Sequence, residues 1–166
     1  MILIGLGANL PSLRHGPSQT TLEGALLALA DVGVRVIARS RWYESAPMPP
    51  SDQPWFVNGV ARVETARDPA ELLELLLAIE RGLGRERRAA NAPGVPRVID
   101  LDLLAYGEVI SDGAEGPVLP HPRLHERAFV LLPMRDIAPD WRHPALGQSV
   151  GELIEALGGD QEIRPL

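Results

Sequence analysis

Cysteine is absent from the 166 residues, which excludes disulfides and thiolate metal sites. Lysine is absent too, because all sixteen basic residues are Arg. A Walker-type lysine is therefore ruled out as a phosphate ligand, and cationic help to phosphates must come from guanidinium groups, whose planar fork suits two-point binding. No apolar run is long enough to span a bilayer. The opening MILIGLG is strand-like and lacks the basic segment and long apolar stretch of a signal peptide. A net charge of −6 argues against a broadly basic face for nucleic acid or membrane surfaces. The expectation is one cytoplasmic domain over residues 1–166, monomeric, with a real core and no nucleic-acid or membrane partner.

What is present alternates in type along the chain. Residues 2–7 read as a short apolar strand. Thr20 followed by Glu23 has the form of a capping box for a helix carrying Leu22, Ala25, Leu26 and Leu29, ended by Gly33. A second strand is expected over 34–44, then a proline-rich loop, then a third strand over 56–64. Asp68 as N-cap, Pro69 and Glu71 start the strongest helix, which stops near Gly82 and Gly84. An Arg- and Pro-rich loop covers 85–96. A strand follows, with a hairpin at 106–108 leading to Val109 and Ile110. Helices are expected over 124–132 and 150–157. The order β–α–β–β–α–β is that of the split βαβ unit, so the fold class is α+β: a mainly antiparallel sheet with helices on one face, and the C-terminal helices over the other.

The most telling string is PRVIDLDLL, where Asp100 and Asp102 stand two apart in an apolar run. Alternation along a strand puts both carboxylates on one face, with Ile99, Leu101 and Leu103 on the other. Like charges side by side need a neutraliser. A hard cation such as Mg²⁺ suits carboxylate oxygen and commonly shares its shell with phosphates, whereas the bland alternative is the solvated face of an edge strand. Arg97 at the mouth of the strand and Arg81, Arg85, Arg87 and Arg88 upstream tilt the balance toward phosphate chemistry. A cluster after a helix can also be a solvated patch at the negative end of the helix dipole, a reading that applies to Arg87 and Arg88.

Other strings say less. GLGAN lacks the third glycine of a dinucleotide-binding turn and reads as a tight turn. PHPRLHERAF has too few ligands for zinc, while phosphate contact by His121 and Arg127 stays open. Trp55 and Phe56, in a loop with Gln53, suit either a planar ligand or simple packing.

Taken together, GLGANL, YESAPMPPSDQPWFVN, PRVIDLDLL and PHPRLHERAF, in that order and spacing, resemble the 6-hydroxymethyl-7,8-dihydropterin pyrophosphokinase family of folate biosynthesis. The resemblance implies a three-layer αβα fold with a ferredoxin-like sheet. It also implies transfer of the pyrophosphoryl group of ATP to the hydroxymethyl group of the dihydropterin, with AMP as the other product. Asp100 and Asp102 match the pair that holds two Mg²⁺ ions. Arg85 and Arg97 match the arginines of a catalytic loop. Glu80, Leu103, His121 and Arg127 fall at nucleotide contacts, and Ser45, Ala46, Met48, Phe56, Asn58 and Phe129 at pterin contacts. The loop AANAPGVPR lacks the aromatic residue usual before the arginine in that family. From a different functional class, the rival is a ferredoxin-like module that senses a nucleotide without turning it over.

Overall fold

The computed structural model describes residues 1–85 and 96–166. Arg87 and Arg88, and most of the loop that carries them, lie outside the described residues. The main sheet runs β5(Asp100–Tyr106), β1(Ile2–Ala8), β4(Phe56–Glu64), β3(Tyr43–Ser45), β8(Ile163–Pro165), with β2(Arg35–Arg39) also paired to β4, and every pairing is antiparallel. With β2 and β3 counted as one broken strand, this is the order of the split βαβ unit, as the element sequence predicts.

The expected strand over 34–44 is broken because Ser40 serves the ladder partly through its side chain. Its N–H donates to Val60 C=O at 2.9 Å, while its Oγ accepts from Val60 N–H at 3.0 Å. Trp42 then turns in over Gly59, where an added Cβ would stand 2.7 Å from the indole ring. Only glycine admits that approach.

Helices α1(Ser18–Asp31) and α2(Pro69–Gly82) cover one face. Helix α2 is capped as its sequence dictates: Glu71 N–H donates to Asp68 Oδ1 and Asp68 N–H donates to Glu71 Oε2, each at 2.9 Å. Its Leu72, Leu76 and Ile79, spaced to share one side, meet Leu22, Ala25 and Leu29 of α1 and Leu101 and Leu103 of β5 in a first core. Helices α3(Ala128–Ile137) and α4(Val150–Glu155) cover the other face, where Leu131 and Met134 join Leu3, Val60 and Leu104 in a second core. The three layers are therefore αβα.

Several boundaries differ from expectation. Helix α1 begins three residues early and has no capping box: Pro17 precedes it, Thr21 Oγ1 donates to Pro17 C=O at 3.4 Å, and Glu23 accepts from Gln19 Nε2 at 3.1 Å instead of reaching back. Pro17, with φ near the helical value, sets the start locally. The turn at Gly107 exists, but Val109 and Ile110 are exposed and unpaired; β6(Ser111–Asp112) and β7(Val118–Leu119) form their own small ladder. The helix expected over 124–132 divides into a 3-10 turn, Leu124–Glu126, and α3, with Arg127 extended between them at φ −117° and ψ 111°. Strand β8 has no counterpart in the sequence reading. It is held by β3 and by an ion pair of Arg164 with Glu44, and Arg164 lies 4.9 Å over the Trp55 ring.

Candidate functional site

The start of β5 lies where the second helical layer runs out. Leu101 and Leu103 are sealed under α2, at 2 % and 4 % exposure, so Asp100 and Asp102 face the opposite side, as alternation requires. Further along that side Leu104 is covered by α3 and its neighbours, whereas the two carboxylates are only half-buried. Of the arginines grouped with this strand in the sequence, Arg85 and Arg97 meet Asp100, Arg81 is exposed, and Arg87 and Arg88 lie outside the described residues. Asp100 forms ion pairs through one oxygen with Arg85 and through the other with Arg97. Arg85 Nη1 also reaches Glu80 Oε1 at 2.6 Å, and that oxygen accepts the Leu101 N–H at 2.8 Å. Glu80 is thus a buried link between α2 and β5 as well as a partner of Arg85.

Asp102 is placed differently. Among the described residues its nearest cation, Arg127 Nη1, is 3.9 Å away. The side chain keeps 37 % of its area accessible, yet it is set deep among protein atoms. That depth, reinforced by the negative charge of Asp100 and only partly offset by Arg127 and Arg97, pushes its carboxyl up to about 7. His121 lies on the same side. Burial, with help from Arg127, pulls its imidazole down to about 4 against the opposing pull of Asp100. Its Nδ1 accepts the Arg123 N–H at 3.2 Å, so the neutral ring carries its proton on Nε2 and can donate from there. Arg127 owes its position to the break before α3, which also sets its guanidinium 5.5 Å over the Phe129 ring.

Among the described residues, no group of three or more His, Asp or Glu side chains gathers around a point that could hold a metal ion. The Asp100–Asp102 pair fits Mg²⁺ all the same. That ion takes one or two carboxylates and completes its shell with phosphate oxygens and water. One observation favours a cation here: two carboxylates share this side of β5, and among the described residues Asp102 has no cation closer than Arg127 at 3.9 Å.

A second feature is linked to these carboxylates through Arg127 and Phe129. Ser45, Ala46, Met48 and Phe129 line one narrow recess together with Ala128, Gln161, Glu162 and Ile163. Four of the six residues matched to pterin contacts therefore meet. The other two stand beside them. Asn58 donates through Nδ2 to Ser45 Oγ at 2.9 Å, and Phe56 lies under the Arg97 guanidinium at 5.9 Å. A Cβ on Gly7 would stand 3.2 Å from Asn58 Oδ1, so the glycine of GLGAN keeps room for that amide. Leu103 and Glu80 are the exceptions among the matched positions: the side chain of Leu103 is consumed by the first core, and that of Glu80 is buried against Arg85 and the Leu101 N–H.

Gln161 escaped the sequence reading. It accepts the Ala128 N–H at 2.9 Å and donates to Glu126 C=O at 2.8 Å, fastening the C-terminal segment to the start of α3 and making it one wall of the recess. Nothing local in the sequence marks such a contact, which spans 33 residues.

The 7,8-dihydro-6-hydroxymethylpterin-pyrophosphokinase (HPPK) family model matches residues 3–139. The chain is 45 % identical over 139 residues to the 2-amino-4-hydroxy-6-hydroxymethyldihydropteridine pyrophosphokinase of Methylorubrum extorquens, covering 82 % of each chain. It is 40 % identical over 154 residues to the Synechocystis enzyme of the same name, covering 92 % of this chain and 74 % of that one. Among solved structures, a Plasmodium falciparum HPPK-DHPS superposes with a TM-score of 0.72 at 16 % identity, over 93 % of this chain and 43 % of that longer one, which establishes the shared fold. By the matched model and by the extent of these identities, the chain belongs to the HPPK family.

Proposed function

We propose that this protein transfers the pyrophosphoryl group of ATP to the hydroxymethyl oxygen of 6-hydroxymethyl-7,8-dihydropterin, giving the pterin diphosphate and AMP. The observation that carries the reading is the Asp100–Asp102 pair with Arg85, Arg97 and Arg127 within ion-pair reach, Arg127 also lying over Phe129 of the recess. In this reading Asp100 and Asp102 would hold Mg²⁺. The bound ion would neutralise phosphate oxygens and orient the chain of phosphates. Arg85 and Arg97, which draw on Asp100 in the free protein, supply cationic donors to the transferring group, and Arg127 and the Nε2–H of His121 supply two more.

The recess suits a flat heterocycle. Phe129 offers a ring face, while Ser45 and Asn58 offer hydrogen bonds at its edge. The hydroxymethyl oxygen attacks the β-phosphorus as the bond from that phosphorus to the α-phosphate oxygen breaks. The alcohol proton passes to solvent. No side chain is assigned as base, because a loose phosphoryl transition state relies mainly on positioning and charge.

Incubation of the purified protein with ATP, Mg²⁺ and the dihydropterin, followed by chromatography, should show AMP and pterin diphosphate in equal amounts. ADP would indicate a simple kinase. Intact ATP with measurable nucleotide binding would favour the sensing module over the enzyme.

A further inference from the structure

Asn9 follows the last residue of β1, is 3 % exposed, and has both ends of its side-chain amide engaged. Its Oδ1 accepts the Arg97 N–H at 2.8 Å. The Asn9 and Leu10 N–H groups both donate to Arg97 C=O, at 3.0 and 3.1 Å, so the main chain of Arg97 is gripped on both sides. The Nδ2 group points the other way, donating to Pro54 C=O at 3.1 Å and Gln53 Oε1 at 3.3 Å. Pro54 lies two residues before Phe56, over whose ring the Arg97 guanidinium is placed. One buried amide therefore joins the end of β1, the loop entering β4 on the pterin side, and the residue entering β5 on the phosphate side.

We infer that Asn9 is a positioning residue, setting the Arg97 side chain in register with the loop 53–56 so that the cationic donor and the pterin-side wall move together. The inference rests on the proposed role of Arg97 in the transfer. A carboxamide suits the task because it accepts at one atom and donates at the other, which neither Asp nor Leu of similar size can do. Burial makes the contacts hard to replace by water.

The test is a double-mutant cycle on AMP release in the intact protein, with melting temperature recorded for each variant. Asn9→Ala should lower kcat about tenfold or more in the wild-type background. In the Arg97→Ala background it should change kcat less than about twofold, because the guanidinium that Asn9 aims is gone while the main-chain bonds of residue 97 remain. Equal loss in both backgrounds would show a merely structural role and overturn the inference. Asn9→Asp keeps the acceptor for Arg97 N–H and removes the donor to residues 53 and 54. It should raise KM for the dihydropterin about fivefold or more, with a smaller fall in kcat than Asn9→Ala. An unchanged pterin KM in Asn9→Asp also overturns the inference, and this variant decides the matter if Asn9→Ala does not fold. A wild-type rate in Arg97→Ala would instead remove the role of Arg97 itself, and absence of AMP from the unaltered protein would remove the proposed reaction.

Discussion

Two arginine–carboxylate clusters in this molecule use the same parts to opposite effect. Near β3, Asp136 accepts from Arg41 and Tyr43. Burial alone would raise its carboxyl, but these hydrogen bonds outweigh burial and hold it below its ordinary range. At the mouth of β5, Asp100 absorbs Arg85 and Arg97, and Asp102 beside it is left with a more distant arginine and a raised carboxyl. The first cluster is complete in the folded chain. In the second, among the described residues, one carboxylate has no close hydrogen-bonded cation, which suits a site whose further partner is a cation bound to a substrate. The contrast separates an ion network that holds the fold from one prepared for a ligand.

The strongest way to break that contrast is to remove the β5 carboxylates. Asp100→Ala and Asp102→Asn should each reduce AMP release by about a thousandfold or more, the loss of several kcal/mol of charge stabilisation, while circular dichroism stays native. Asp102→Asn should melt no lower than the parent at pH 8. Near-normal turnover in both variants would place the two clusters in the same structural class.

A less drastic measurement follows stability against pH in the presence of EDTA. Asp102, raised in the folded state to about 7 from an unfolded value near 4, favours the fold fully below that unfolded value. Its contribution falls as pH rises and is gone above about 7. Asp136, lowered in the folded state, acts in the other sense: its contribution is present above the unfolded value and lost as pH falls through the folded one. Melting temperatures should therefore show a decline between about pH 4 and 7 that vanishes in Asp102→Asn, and an acid-side decline that is reduced in Asp136→Asn. Mg²⁺ should raise the melting temperature more at pH 8 than at pH 5, since protons compete for Asp102 at the lower value. An equal rise at both would detach the ion from that carboxylate.

The smallest effect belongs to the complete cluster. Asp136→Asn should lower the melting temperature by a few degrees, about the yield of one or two net hydrogen bonds, and leave turnover within about twofold. A large loss of activity would mean that this cluster too reaches the site.

The difference between the clusters was half legible from the chain. Asp100 and Asp102 announce themselves because charges at alternate positions of an apolar strand conflict with their local setting. The Asp68–Glu71 box is equally plain, being contained within four residues. Thr20 and Glu23 have the same local form and fail, because Pro17 starts the helix earlier and Gln19 takes the glutamate. Asp136 gave no signal, since its partners lie 93 and 95 residues away. Asn9 was hidden for the same reason: its side-chain partners lie 44, 45 and 88 residues distant. Strand β8 exists only through pairing with β3, which no local pattern in the last residues encodes. What the chain shows locally is conflict and capping; what it conceals is which distant atoms resolve them.

The extended Arg127 between the 3-10 turn and α3 bears on any attempt to make this protein hardier. A continuous helix over this stretch would bring more main-chain hydrogen bonds and is the obvious target for a helix-favouring substitution at a residue such as His125. Success would carry the guanidinium away from Asp102 and from the Phe129 ring. Variants selected for heat resistance alone should thus accumulate changes that heal the joint and weaken the enzyme, and selection for turnover should keep the joint open.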